Sequence, residues 1–176
     1  MSGGAFEYLK ALIVEDNQHM RTLLKTLLNA LGIKHIFEAT NGADAFIILR
    51  ERKPDLILTD LSMKPIDGIA FTREVRMSDD SPNPYVPIVM VTGHTERHMV
   101  ETARDAGVTE FLAKPITAQN IFLRIAEIVE RPRPFVRCET YFGPDRRRKH
   151  TEDYAGPWRR REDFENDLAI EERRPA

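Results

Sequence analysis

Cysteine, tryptophan and net charge are what this 176-residue chain has least of: one Cys138, one Trp158, and 26 basic against 28 acidic side chains. A single cysteine excludes an intramolecular disulfide and a cysteine-based zinc cage, and agrees with a reducing compartment. Near-neutral charge gives nucleic acid no whole-chain attraction. No apolar run approaches the roughly 18 residues that span a bilayer, and the opening MSGGAFEYLK lacks the apolar stretch of a secretory signal. A cytoplasmic protein with no membrane partner is therefore expected. What the chain does have is 41% apolar and 31% charged residues, the balance of a globular protein rather than a disordered one. Its length suits one domain of about 100 to 200 residues plus an appendage.

Composition shifts near Arg131. Residues 131–176 hold 13 apolar side chains against 12 basic and 10 acidic ones, too few to bury a core of their own. A core domain over 1–130 and an Arg-rich C-terminal extension over 131–176 are expected. The border reads RPRPF, where Pro132 and Pro134 stop a helix ending near Glu130, so a linker is expected there. The extension repeats itself imperfectly, as GPDRRR from Gly143 and GPWRRR from Gly156. Arginines beside Tyr141, Phe142, Tyr154 and Trp158 suit phosphates and bases. Interleaved acids such as Glu152, Asp153, Glu162 and Asp163 instead favour self-pairing or docking to protein, so nucleic acid ranks last as a partner of this segment.

Before that border, short apolar runs alternate with helical periodicities. Leu9–Val14, Leu56–Leu58 and Ile88–Val91 are apolar without alternation, as strands buried on both faces of a parallel sheet should be. Ile33–Ala39 and Val108–Leu112 complete five strands. Met20, Leu23, Leu24, Leu27, Leu28 and Leu31 fall at helical spacing between an Asn17 cap and a stop at Gly32. Further helices are expected over 42–52, 68–77, 95–106 and, after a Thr117 cap, 118–130. Five strand–helix pairs imply right-handed crossovers and a doubly wound α/β fold with a five-stranded parallel sheet. Ligands of such folds sit beyond the carboxyl ends of the strands.

Those ends carry Glu15 and Asp16 after the first strand, Asp60 after the third, Thr92 after the fourth and Lys114 after the fifth. Carboxylates gathered at one rim repel unless a cation lies among them, and an all-oxygen set suits Mg²⁺ rather than zinc. A lysine and a hydroxyl nearby suit the equatorial oxygens of a phosphoryl group, with a carboxylate as nucleophile. Each residue type also has an ordinary role: Asp60 as a turn cap, Thr92 as a helix cap, Lys114 as a surface cation.

The ordered set Glu15-Asp16, Asp60, Thr92 and Lys114-Pro115, with Met63 three and Gly68 eight residues past Asp60, resembles the receiver domain of two-component response regulators over residues 8 to 130. The resemblance implies a flavodoxin-like strand order 2-1-3-4-5. It implies that Asp60 accepts a phosphoryl group from a sensor histidine kinase or phosphotransfer protein. Glu15, Asp16, Asp60 and the backbone carbonyl of Ser62 would hold Mg²⁺, and Lys114 would pair with Asp60. Thr92 and the aromatic Phe111 would act as the switch, passing the signal to a downstream protein target by contact, with a homodimer as a further option. Such a chain is a phosphoacceptor switch and not a metabolic enzyme.

Two departures from the family pattern concern the loops. Lys64 stands where the family usually has proline, with Pro65 next, and Ser62 and His94 occupy positions that influence phosphoryl lifetime. A DNA-binding regulator using the Arg-rich extension is the alternative reading. A small Mg²⁺-dependent phosphatase is disfavoured by Ser62, where that family has a second aspartate.

Overall fold

The computed structural model describes residues 6–93 and 96–146. Five strands, β1 (Lys10–Val14), β2 (His35–Ala39), β3 (Leu56–Asp60), β4 (Ile88–Thr92) and β5 (Glu110–Ala113), form one parallel sheet in the order β2-β1-β3-β4-β5. Helices α1 (Gln18–Ala30), α2 (Gly42–Arg52), α3 (Gly68–Met77), α4 (Arg97–Asp105) and α5 (Ala118–Glu130) alternate with them. The expected fold class and strand order are both present. β3 and β4 run on to Asp60 and Thr92, so these two polar residues are the last strand positions rather than loop residues.

The period-2 geometry of a strand sends successive side chains to opposite faces. Ala11 and Ile13 of β1, Leu56 and Leu58 of β3, and Val89 and Val91 of β4 pack with Leu24 and Leu28 of α1 and Ile121 and Ile125 of α5. Leu12, Val14, Ile57 and Ile88 face the other way, onto Leu49 of α2 and Phe71 and Val75 of α3. Both faces are apolar for that reason, which explains why these runs do not alternate in sequence. At about 1.5–3 kcal/mol for each fully buried Leu, Ile or Val, this two-sided burial fixes the sheet.

Local signals close the helices. The Asn17 side chain accepts from the Met20 amide at 3.1 Å, and the Thr117 hydroxyl accepts from Asn120 N at 3.2 Å. Gly32 ends α1 with φ +93°, a conformation that favours glycine. Helix α4 starts later than expected, at Arg97, after a Glu96 cap whose side chain makes no capping bond. Thr95, the first residue of the expected helix, lies outside the described residues, as does His94.

The border region carries structure that its composition did not announce. Helix α5 does stop at Glu130, but the chain then forms an antiparallel hairpin of β6 (Phe135–Cys138) and β7 (Tyr141–Pro144). The hairpin packs on the domain and buries Val136, Tyr141 and Phe142. Phe135 and Phe142 meet the ring of Tyr85 at centroid distances of 5.3 and 5.0 Å. A Cβ on Gly143 would lie 2.8 Å from Cα of Gly107, so these backbones touch where side chains would separate them. The hairpin borrows the core of the domain, which is why its own apolar content gave no sign of it. The rest of the extension, including Arg147 and Arg148, the second arginine triplet and Trp158, lies outside the described residues.

Candidate functional site

Register brings the polar strand ends to one level: Val14 pairs with Thr59, Asp60 with Val91, and Thr92 with Ala113. The residues one step beyond β1 and β5, Glu15 and Lys114, therefore flank the end of β3 from both sides. Glu15 N donates to Ala39 O at 3.1 Å and Lys114 N to Thr92 O at 2.9 Å, so the ladders continue through both positions. The side chains meet. Lys114 Nζ lies 2.8 Å from Asp60 Oδ1 and 3.6 Å from Glu15 Oε2, and Ser62 N donates to Asp60 Oδ2 at 2.9 Å.

One ammonium thus neutralises two nearly inaccessible carboxylates, a pairing that burial makes necessary. It leaves Glu15 incompletely satisfied. Asn17 N donates to its Oε1 at 3.1 Å, but Oε2 is buried without a hydrogen-bond partner. Burial raises the Glu15 pKa above the ordinary carboxylate range; the Asn17 amide opposes this, Asp60 adds to it, Lys114 opposes it and Asp16 adds to it. A raised folded-state pKa means that ionising Glu15 costs stability: the cost is absent below about pH 4.5 and complete above the folded value. Glu15→Gln is accordingly expected to raise stability at pH 7 in the absence of divalent ions, by about 1 kcal/mol, the low end for an unpaired buried acceptor. Urea unfolding in EDTA measures it; a loss of stability would contradict the electrostatic account.

The donor chemistry fits a hard divalent cation. Glu15 offers an orphaned carboxylate oxygen, Asp60 keeps lone pairs on both oxygens beyond its two hydrogen bonds, and Asp16 is exposed at the same rim. No three His, Cys, Asp or Glu side chains among the described residues form a closed cation cluster. Glu15 and Asp60 meet through Lys114, and Asp16 is exposed beside them, where an uncompensated carboxylate costs least. An open set of this kind suits Mg²⁺, which keeps several waters.

The supporting residues explain the spacing of the motif. The third carboxyl-end residue past Asp60, Met63, is buried against the face that holds Phe71. Gly68 begins α3 directly against the end of β3: a Cβ there would stand 2.1 Å from the Asp60 carbonyl oxygen. Gly68→Ala must displace the strand end, and a loss of about 1–3 kcal/mol, as for an overpacked core, is expected in urea unfolding. Unchanged stability would show that α3 shifts freely. Lys64 and Pro65, joined by a cis peptide bond, are exposed in the loop between. Thr92 is buried, and Phe111 is half-buried against the cluster of Leu61, Met90, Ala103 and Val108.

Sequence reasoning missed Arg21. Its Nη1 donates to the Glu15 carbonyl at 2.8 Å and its Nε lies 3.4 Å from Glu38, fixing the turn that presents Glu15 and Asp16. Its position one helical turn after Asn17 is the only signal the sequence carries, and many surface arginines share it.

The domain is thus a doubly wound α/β fold with two buried acids, Glu15 and Asp60, and a lysine at its carboxyl rim. Comparison with known proteins makes this specific: the family model for the response regulator receiver domain matches residues 11–126, and the chain belongs to that family. It is 37% identical to the chemotaxis protein CheY of Pseudomonas aeruginosa over 70% of this chain and 98% of that protein. CheY of Bacillus subtilis is 33% identical over 64% of this chain and 90% of that protein. Among solved structures, Vibrio cholerae CheY4 superposes with TM-score 0.63 at 25% identity, over 68% of this chain and 98% of that one. A receiver domain of a Pseudomonas aeruginosa sensor histidine kinase, solved with magnesium ion in its active site cleft, gives 0.59 at 28% identity over 68% of this chain and 94% of that one. Among the described residues no helix is long and apolar enough to cross a membrane.

Proposed function

We propose that the protein is a phosphorylatable response regulator whose only chemistry is gain and loss of a phosphoryl group at Asp60. The observation that carries the reading is the Lys114 Nζ to Asp60 Oδ1 contact of 2.8 Å beside the orphaned Glu15 oxygen. Ser62 N and Lys114 Nζ hold the two Asp60 oxygens and fix the plane of the carboxylate. An Asp60 oxygen then forms the new P–O bond while the P–N bond of a phosphohistidine breaks and the imidazole takes up a proton. Glu15, Asp16, Asp60 and the Ser62 carbonyl would hold Mg²⁺, which would supply the charge that lets an anionic donor approach this rim. Lys114 remains to pair with the added oxygens, and the Thr92 hydroxyl offers them a further donor. Water later cleaves the acyl phosphate and restores Asp60.

The readout follows from packing. Phe111 lies three residues before Lys114 on the same short strand, beside Met99 and Ala103 of α4. Movement of Thr92 toward a phosphoryl group opens space into which the half-buried ring can turn, and such a turn of Phe111 would report the charge at Asp60 to the α4–β5–α5 face. A sensor histidine kinase or phosphotransfer protein upstream, and a protein target downstream, complete the circuit in the cytoplasm. The DNA-arm alternative gains nothing from the hairpin, where Arg137 and Arg146 lie over the rings of Phe142 and Tyr141 at 4.4 and 4.1 Å.

Incubation with Mg²⁺ and acetyl phosphate, read by intact mass, tests the reading. One added phosphoryl group is expected with Mg²⁺ and none in excess EDTA. Equal labelling in both, or none in either, would overturn it.

A further inference from the structure

Beside the hairpin lies an open cavity that the phosphoacceptor site does not use. It measures about 260 Å³ and lies among β6, the end of α5 and the amino ends of β4 and β5, at the rim opposite Asp60. Tyr85, Ile128, Pro132 and Phe135 give it apolar walls, while Glu127 and Arg131 stand at its edge with opposite charges. This falls just short of the about 300 Å³ at which small-molecule sites begin and suits one large aromatic side chain.

The chain itself supplies such a side chain. The first GPxRRR copy shows how this sequence docks: Gly143 sits against Gly107, Asp145 is buried with its amide on Pro134 O at 2.8 Å, and Arg146 pairs with Asp105 at 3.2 Å. The second copy, from Gly156, replaces that buried acid with Trp158. The cavity adjoins the seat of the first copy, because the wall residue Arg133 donates to the Asp145 carbonyl. Trp158 follows Arg146 by twelve residues, a reach of up to about 40 Å, and closing so short a loop costs little.

We propose that Trp158 inserts into this cavity on its own molecule and pins the extension along the hairpin. The indole covers the apolar walls, Arg131 and Arg133 are placed to meet its face, and the neighbouring Arg159–Arg161 and Glu162–Asp163 find both signs of charge at the rim. Because the cavity and Asp60 occupy opposite ends of the strands, the proposal stands or falls apart from the phosphoacceptor reading.

Trp158 is the only tryptophan, so its fluorescence reports this contact alone. The full chain is expected to show blue-shifted emission and iodide quenching several-fold weaker than in urea, unchanged on dilution. Ile128→Arg, which fills the cavity from a partly exposed helix position, should red-shift the emission and restore quenching, with far-UV circular dichroism unchanged; Tyr85→Ala serves as a second variant if the first misfolds. A solvent-exposed indole in the native chain would overturn the proposal. So would protection that survives both variants, or protection that disappears on dilution together with a dimer in sedimentation, which would place the indole in a second copy.

Discussion

Replacing Asp60 by asparagine is expected to abolish phosphoryl incorporation while leaving a folded protein. The amide is nearly isosteric and can still accept from Ser62 N, so the strand end and its contact with Gly68 persist. It is not a nucleophile toward phosphorus, and it removes one of the two charges that hold Lys114. Lys114 Nζ lies 3.6 Å from Glu15 Oε2 and can close on it, which keeps the buried acid paired. Intact mass after acetyl phosphate treatment should therefore show no adduct, and thermal unfolding should show no loss of stability. Lysine removal differs in kind. Without that ammonium, Glu15 and Asp60 face each other uncompensated, so Lys114→Met is destabilising unless a divalent cation is added.

The second large effect concerns Arg76, which has no role at the phosphoacceptor rim. It is fully buried, and burial lowers its pKa to about 9. Its Nε donates to Gly107 O at 3.0 Å and its Nη1 to Pro84 O and Val86 O, each at 2.8 Å, while its guanidinium lies 5.1 Å from the Phe135 ring centre. One side chain thus ties the end of α3 to the loop before β4, the turn before β5 and the hairpin. Arg76→Met leaves three carbonyls short of a donor at about 1–3 kcal/mol each, so a loss of at least about 3 kcal/mol is expected. For a domain of this size that lowers Tm by roughly 6–12 °C. Arg76→Lys should recover little, since an ammonium cannot span acceptors placed for a planar fork. Wild-type stability in Arg76→Met would show that water satisfies these carbonyls.

How legible the molecule was in its sequence depended on where the partners of each residue lie. Strands β1, β3 and β4 were readable because burial on both faces leaves no polar interruption, and α1 and α5 because their caps and apolar stripes are local. The rim set was readable because five polar residues, Glu15, Asp16, Asp60, Thr92 and Lys114, occur in order at the ends of such strands. Three features were not. Arg76 reads as an ordinary last-turn base of an amphipathic helix, and only the folded chain brings Pro84 and Gly107 to it. Arg21 reads as a surface cation. The hairpin 135–144 lacks an apolar face that could stand alone, because it is completed by Tyr85, Arg76 and Gly107, which are distant in sequence. Its own Pro134 and Gly143, read locally, argue for a loop.

The account rests on Asp60 being the atom-level acceptor, and locating the label tests this most directly. An acyl phosphate is reduced by borohydride to an alcohol, so phosphorylated Asp60 becomes homoserine and the carboxylates that carry no phosphoryl group do not react. After treatment with Mg²⁺ and acetyl phosphate, reduction and proteolysis, mass spectrometry should find homoserine at position 60 and at no other acid. Homoserine at position 16, its one-carbon-longer homologue 5-hydroxynorvaline at position 15, or a phosphoryl group on a serine, threonine or histidine with position 60 unmodified, would contradict it.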